Sequence, residues 1–415
     1  MLKFKWTLIL LFSSCLAFSQ AEEELNPPDY IKTITFKGQT RESALPIVKL
    51  NGRISLSFDA INGNEEDFYY VIDHYDFDWT PSQLMKAEYM QGFDNQRIRD
   101  YENSFNTYQI YSHYRLQIPN QQTRLKKSGN YMIKVYDRYR DLVFSRKFMI
   151  YEDLTNVGVA IKRSRDVKYI KKKQTIDISI SSPSILFKNP TQTVKVVALQ
   201  NDNLNTAITN MKPTYTLGRE LLYKDIKGSS FWAGNEYRYF ENKSVRAANI
   251  GVQYVDLKDL YNHYLFADLV RSNVPYTFNP DINGRFLTTA LDVDNVDIEA
   301  DYVVVHFSLQ HPEMLNDKSI HIYGGFNNYA ITDETKMTFN SNSGFYETSL
   351  ILKQGFYSYK YVVVDENGKL DEGAISGNFD QTENNYKVLV YYRDLGARYD
   401  RLVGLGEGSS TTITN

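Results

Sequence analysis

The stretch Ile176–Ile180, which reads IDISI, alternates apolar and polar residues at every position. Side chains of an extended chain point to opposite faces in turn, so this pattern predicts a β-strand with one buried face. Period-two patterns recur in Ile54–Phe58 and in Tyr302–Phe307, and turn pairs such as Asn62-Gly63 separate such segments at short intervals. The sequence therefore predicts an all-β protein of tandem immunoglobulin-like β-sandwich domains, with few short helices, expected at 81–90 and 256–266.

Length and charge indicate a globular protein with several domains. The chain has 415 residues, with 47 Lys+Arg against 50 Asp+Glu and a formal net charge of -3. This length allows several separate cores, and the balanced charge gives no indication of nucleic-acid binding. The tyrosines (33) outnumber the phenylalanines (23), which indicates large contact surfaces with polar tips.

The N-terminus has the pattern of a secretory signal peptide. Lys3 and Lys5 precede the apolar run Trp6–Phe18, and small residues at Ala17 and Ser19 precede a predicted cleavage before Gln20, so residues 1–19 are expected to be removed. An N-terminal anchor, or acylation of Cys15, remains an alternative. Because Cys15 is the only cysteine, the exported chain is expected to have no disulfide, thiol nucleophile or cysteine-bound metal.

Turn signals and strand patterns divide the rest of the chain. We expect an N-terminal β-sandwich over 20–153, a middle β-rich domain over 154–297, an immunoglobulin-like domain over 298–393 and a C-terminal tail over 394–415. From Gly404 onward Gly, Ser and Thr dominate, so the tail is expected to be disordered.

The third of these units resembles the early-set immunoglobulin-like domains related to glycogen- and starch-binding modules. Three segments carry the resemblance: His321–Tyr329, Gly344–Leu350 and Gly355–Asp365. The resemblance implies a β-sandwich, and a glycan site if the loop at Tyr329 is used. Tyr329 stands where those modules carry a sugar-stacking Trp, so the sheet is equally interpretable as a scaffold.

Two patterns could hold a metal ion. His74, Asp76 and Asp78 share one face if their segment is extended, and Asp292–Glu299 is rich in the oxygen ligands that Ca²⁺ prefers. A half-buried strand and a domain linker explain them equally well. The six histidines are scattered without ligand spacing, and no nucleophile or phosphate-loop motif occurs, so we predict no enzyme activity, no metal site and no cofactor.

A basic run and several aromatic clusters indicate partner binding. Lys162–Lys173 is rich in cations, which could contact phosphates, anionic lipid or an acidic protein, or could form a solvated loop. Tyr and Trp are enriched at protein interfaces. The predicted partner-binding residues are Phe231, Trp232, Tyr237, Tyr239, Phe240, Lys171, Lys172 and Lys173.

Several segments together resemble the plug protein family of the type IX secretion system of Bacteroidota. They are Tyr70–Trp79, Glu88–Phe93, Ile98–Thr107, His113–Asn120, Phe231–Phe240 and Arg398–Gly404. The resemblance implies a non-enzymatic periplasmic protein that docks on the periplasmic opening of the outer-membrane translocon barrel and seals it when no cargo is engaged. It also implies association with the inner face of the outer membrane through that barrel, with no direct membrane insertion and no nucleic acid.

Two other functions remain open on the sequence. The chain could be an exported glycan-binding β-sandwich protein that uses the early-set domain. It could also be cargo of the secretion system, although the Gly/Ser/Thr-rich end does not look like a sorting domain.

Overall fold

The computed structural model describes residues 20–209, 211–312, 315 and 317–413. The predicted signal peptide lies outside the described residues. Over the described ranges the chain forms 31 strands and three α-helices of four residues each, so the expected all-β fold is confirmed. No helix in these ranges has the length and apolar character needed to cross a membrane.

The N-terminal sandwich contains the first eleven strands. Its sheets have the orders β1-β3-β8-β7 and β2-β11-β10-β4-β6, with a small β5-β9 pair beside them. The alternating residues Ile54, Leu56 and Phe58 face a core shared by both sheets. The elements are β1 (Ile31–Lys37), β2 (Ile47–Lys49), β3 (Ile54–Ala60), β4 (Tyr69–Tyr75), α1 (Lys86–Tyr89), β5 (Met90–Gly92), β6 (Gln96–Arg97), β7 (Asp100–Asn103), β8 (Ser112–Ile118), β9 (Thr123–Leu125), β10 (Gly129–Tyr136) and β11 (Leu142–Tyr151).

A middle sandwich begins with the next seven strands. The isoleucines of the IDISI stretch, Ile176, Ile178 and Ile180, are all buried in its core, as their spacing predicts. The elements are β12 (Asn156–Arg163), β13 (Lys173–Ser181), α2 (Pro190–Thr193), β14 (Val194–Gln200), β15 (Asn203–Ile208), β16 (Tyr215–Leu217), β17 (Glu220–Tyr223) and β18 (Ser230–Trp232).

An inserted sandwich follows before the chain returns to the middle one. It packs the sheet β19-β28-β23, extended by β25 and β29, against a six-stranded sheet of order β20-β21-β24-β27-β26 with β22. Its elements are β19 (Arg238–Glu241), β20 (Val252–Leu257), β21 (Tyr261–Leu265), β22 (Asp268–Leu269), β23 (Phe286–Thr288), α3 (Val296–Glu299), β24 (Tyr302–Gln310), β25 (Lys318–Tyr323), β26 (Thr338–Asn340), β27 (Phe345–Lys353), β28 (Gly355–Asp365) and β29 (Leu370–Asp371).

The last two strands, β30 (Asn385–Tyr392) and β31 (Arg401–Ser409), complete the middle sandwich, whose second sheet has the order β15-β14-β30-β31. The sheets do not follow the expected boundaries at 297/298 and 393/394. Strands β19 and β23 pair with β28, β21 pairs with β24, and β30 pairs with β14. From this topology we propose three units: 20–153, a discontinuous 154–233 with 384–413, and the insert 234–383.

The expected disorder after Gly404 is wrong. Gly404, Gly406 and Gly408 lie in β31 and pair with β30. A Cβ on Gly406 would lie 2.8 Å from the carbonyl oxygen of Val157, so the missing side chains let β31 approach β12 closely. The glycines of this segment serve close packing.

The helix expected at 256–266 is also wrong. Leu257 pairs with Tyr261 across a tight turn, and β20 and β21 form a hairpin on either side of it. In the region 81–90 the chain is helical only over Lys86–Tyr89.

Candidate partner-binding surface and the joints that position it

Three of the predicted partner-binding residues lie in cores. Phe231 packs on Tyr386 with ring centroids 5.3 Å apart, and Phe240 stacks on Tyr357 at 5.3 Å. Tyr237 is also buried, and this burial raises the pKa of its hydroxyl. These rings hold the sandwiches together and are not available to a partner.

The remaining predicted residues are accessible to different degrees. Trp232, the neighbour of Phe231 on the opposite face of β18, is 49% exposed. Lys171 and Lys172 are exposed, and Lys173 is half-buried. Tyr239 is half-buried, belongs to the inserted sandwich and stacks on Phe356 at 5.3 Å.

Trp232 and the lysines form one surface at the β12–β13 turn. The Lys173 ammonium lies 4.4 Å from the Trp232 ring centroid and 4.7 Å from that of Tyr169. Tyr169 and Trp232 pack edge to face at 5.5 Å. Val167 at the tip is 85% exposed. We call this surface the β12–β13 patch, comprising Val167, Lys168, Tyr169, Ile170, Lys171, Lys172, Lys173 and Trp232.

The patch keeps its positive charge because only part of the basic run is neutralised. Lys162 and Arg165 both pair with Asp177, and Arg163 pairs with Asp380 at 3.0 Å. Within the described ranges no carboxylate forms an ion pair with the four lysines of the patch. Cations beside exposed aromatic rings suit a polar, reversible contact with an acidic surface.

The two metal hypotheses find no support in the geometry. His74 is buried, donates from Nε2 to the Ser128 carbonyl and accepts at Nδ1 from Ser82, and burial lowers its pKa to about 4. Asp76 pairs with Arg393 instead. In the second segment, Asn295 caps the short helix α3. No group of three or more His, Cys, Asp or Glu side chains in the described residues could hold a metal ion.

Asp76 belongs to a joint between the N-terminal and middle sandwiches. Arg393 binds both oxygens of Asp400 at 2.9 Å and reaches Asp76 at 2.5 Å. The Asp400 amide donates to Asp76, and burial raises the pKa of Asp400 although Arg393 opposes the shift. Two of the segments quoted for the family resemblance, Tyr70–Trp79 and Arg398–Gly404, therefore meet here.

A second joint connects the N-terminal and inserted sandwiches. The Asp59 carboxylate is fully buried and accepts hydrogen bonds from Lys353 at 2.8 Å, Tyr302 at 2.6 Å and His113 at 2.5 Å. Burial alone would raise the pKa of Asp59, but Lys353 and His113 outweigh it and hold that pKa below its usual value. The sequence analysis missed this cluster, since an Asp in a strand and a Lys 294 residues away give no common signal.

A third joint is the neck through which the chain leaves and re-enters the middle sandwich. Glu236 on the outgoing segment accepts hydrogen bonds from the Glu383 amide on the returning segment and from the Tyr276 hydroxyl. Asp281 accepts the amides of Tyr237 and Asn283. Burial, reinforced by the Glu236 carboxylate, raises the pKa of Asp281 to about 7.

The loop that the early-set resemblance offers as an alternative sugar site is closed. Tyr329 is buried, and its hydroxyl lies 3.5 Å from the carbonyl oxygens of Asn201 and Asn283. Its ring also packs on Tyr323 at 5.1 Å. The position that aligns with a sugar-stacking Trp is therefore part of the contact between the middle and inserted sandwiches.

Comparisons with known proteins agree with this architecture. The sequence model described as type 9 secretion system plug protein 1st domain matches residues 31–152, which is the N-terminal sandwich. A crystal structure of a hypothetical protein from Parabacteroides merdae is similar over 93% of this chain and 98% of that one, with 32% identity and a TM-score of 0.89. No curated protein matches. With the N-terminal sandwich matched by the plug model and the whole architecture shared with that relative, the chain belongs to the type IX secretion system plug protein family.

Proposed function

We propose that this protein is a periplasmic plug that docks on the periplasmic opening of the outer-membrane translocon barrel of the type IX system and seals it when no cargo is engaged. The observation that carries the proposal is the match of the N-terminal sandwich to the plug family. We expect the protein to reach the inner face of the outer membrane through this partner, and to act without catalysis or a cofactor.

The three joints support a sealing role on physical grounds. A plug must keep its shape against a wide aqueous opening, so its domains should not move freely relative to one another. Interfaces between domains of one chain are usually polar enough to allow motion. Here Asp59 and Asp400 are each buried and each bonded to a residue of a neighbouring sandwich, and Glu236 bonds the two segments of the neck together, which favours one rigid body.

The β12–β13 patch is the docking surface that we propose for the barrel. Its lysines would contact carboxylates on the periplasmic rim, while Trp232 and Tyr169 supply contact area with little loss of conformational freedom. Electrostatic contacts of this kind weaken with salt, which fits a plug that must release when cargo arrives.

Co-purification from membranes tests the proposal. Tagged protein is expressed in a Bacteroidota strain that lacks its own copy, outer membranes are solubilised in mild detergent, and the proteins retained with the tag are identified. The wild-type chain should retain a very large barrel protein, and Lys171→Glu/Lys172→Glu should retain much less. Lys188→Glu/Lys212→Glu reverses the same charge at exposed lysines outside the patch and should behave as wild type.

Two outcomes would contradict different parts of the proposal. If no barrel protein is retained by the wild-type chain, the docking function is wrong. If the barrel is retained equally by both double variants, docking stands but uses another surface.

A further inference from the structure

A groove of about 840 Å³ lies on the outer face of the six-stranded sheet of the inserted sandwich. Side chains alternate between the two faces of each strand. In β24, Val305 and Phe307 are buried in the core, and His306 and Ser308 lie on the outer face. The volume falls in the range of small-molecule and cofactor sites. Strands spaced about 4.8 Å apart give the face a width of about 19 Å from β20 to β26.

One side of the groove is a stack of three parallel rings. Tyr254 on β20 lies over Tyr264 on β21 with centroids 4.3 Å apart, and Tyr264 lies over His306 on β24 at 4.2 Å. Asn262 accepts a hydrogen bond from His306 Nε2, and burial lowers the pKa of that histidine, so the ring stays neutral. Tyr254 stacks on Tyr264 at the end of this row of rings and is 50% exposed, so part of its side chain is accessible to a ligand.

The other side of the groove carries hydroxyl, amide and carboxylate groups. Asn340 Nδ2 donates to one oxygen of Glu347 at 2.8 Å, and the Ser343 hydroxyl donates to the other at 2.7 Å. Ser308 and Ser349 lie between this pair and the ring stack and add hydroxyls to the lining.

The chemistry of the lining selects one class of ligand. An anion would need cations aimed into the groove, but the described lining contains no lysine or arginine, and Lys258 beside the ring stack donates to the Tyr264 hydroxyl at 3.1 Å. A peptide strand would need free backbone groups, but those of the central strands are used in the sheet ladders, and the groove offers side chains only. An upright aromatic ring beside bonded amide and carboxylate groups suits a ligand with apolar ring faces and many hydroxyls.

We propose that this groove binds a neutral glycan chain, with Tyr254 stacking on a sugar ring and Asn340, Ser343 and Glu347 bonding its hydroxyls. The site is distinct from the closed Tyr329 loop, on another part of the same sandwich. It is also independent of the proposed docking on the barrel, so a plug could hold a glycan at the cell envelope while its β12–β13 patch contacts the translocon.

Affinity electrophoresis of the full chain tests the proposal. Native gels contain mannan, xylan, laminarin or glycogen, and migration is compared with that in a gel without polysaccharide. At least one polysaccharide should retard the wild-type chain. Tyr254→Ala should weaken the retardation about tenfold, since one aromatic contact is worth roughly this factor. Tyr215→Ala, at an exposed tyrosine of the middle sandwich, should migrate as wild type.

A second variant and a second probe complete the test. Asn340→Ala should also weaken the retardation, which separates a loss of binding from a local effect of Tyr254→Ala on the edge strand. The proposal is overturned if no polysaccharide retards the wild-type chain, or if both groove variants are retarded as strongly as the wild-type chain. Binding of reduced, carboxymethylated lactalbumin without binding of any polysaccharide would overturn it in favour of a peptide groove. The Tyr254→Ala variant should still co-purify with the barrel. A negative result for glycan binding would therefore leave the docking proposal standing.

Discussion

Replacing Lys353 by Met should destabilise the protein by about 3 kcal/mol, because it leaves the fully buried Asp59 carboxylate without its ammonium partner. The lysine also donates to the Asp297 carbonyl at 2.7 Å and lies 4.1 Å from the Tyr111 ring centroid. Removal of one partner of a buried ion pair costs about 3 to 5 kcal/mol. We expect the lower end, since two of the three donors to Asp59 remain.

A double-mutant cycle isolates the pair from the packing around it. Asp59→Asn should also be destabilising, because it leaves the Lys353 charge buried, but Asp59→Asn combined with Lys353→Met removes both charges. The double variant should therefore be more stable than the sum of the single effects, with a coupling free energy of about 2 kcal/mol or more. Urea unfolding followed by circular dichroism measures the three variants beside the exposed control Lys369→Met, which should match wild type.

The pH dependence gives an independent check on the same cluster. Because the folded-state pKa of Asp59 is lowered, the ionised carboxylate stabilises the fold at pH values above its unfolded pKa of about 4, and this stabilisation is lost as the pH falls through the lowered value. Lys353→Met should lose less stability on acidification than wild type. The reasoning is refuted if Lys353→Met lies within about 0.5 kcal/mol of wild type, a typical surface effect, or if the double variant is simply additive.

Three further changes test the neck, the final strand and the other ionic joint. Because the folded-state pKa of Asp281 is raised to about 7, its contribution to the free energy of unfolding is greatest below pH 4 and is lost as the pH rises to 7. Asp281→Asn should remove up to about 4 kcal/mol of the fall in unfolding free energy over this interval, and an unchanged slope would exclude this carboxyl as the cause. Gly406→Val should lower the free energy of unfolding by about 1 to 3 kcal/mol through overlap with Val157, whereas Glu407→Val on the exposed side of the same strand should leave it unchanged. Equal melting temperatures of the two variants would contradict the close packing. Arg393→Met should destabilise by about 3 kcal/mol, since it leaves two neighbouring buried carboxylates unpaired, and unchanged resistance to proteolysis would count against this joint.

The strand content was predictable because its signal is local. Ile176, Ile178 and Ile180 all face the core, as period-two alternation requires. The discontinuous middle sandwich was not predictable in this way, because the pairing of β14 with β30 depends on contacts across the whole insert. The glycines of β31 misled the composition argument, although their spacing of two at Gly404, Gly406 and Gly408 is compatible with one face of a strand.

The surface was predictable only in part. Phe231 and Trp232 are adjacent in β18, so one must face the core and the other the solvent, and the sequence does not say which. Lys171 and Lys172 of the β12–β13 patch are exposed charges, as the basic run indicates. The sequence analysis did not foresee that Asp177 on the neighbouring strand neutralises Lys162 and Arg165, or that Asp380 neutralises Arg163. The ring stack at Tyr254 was also missed, because it assembles from three strands.

The conductance of the purified translocon barrel in a planar lipid bilayer, measured before and after this protein is added to the periplasmic side, tests the central claim most directly. The account predicts that the open channel closes when the wild-type chain is added, and closes much less with Lys171→Glu/Lys172→Glu. A conductance that stays unchanged while the wild-type chain remains bound to the barrel would contradict the sealing function.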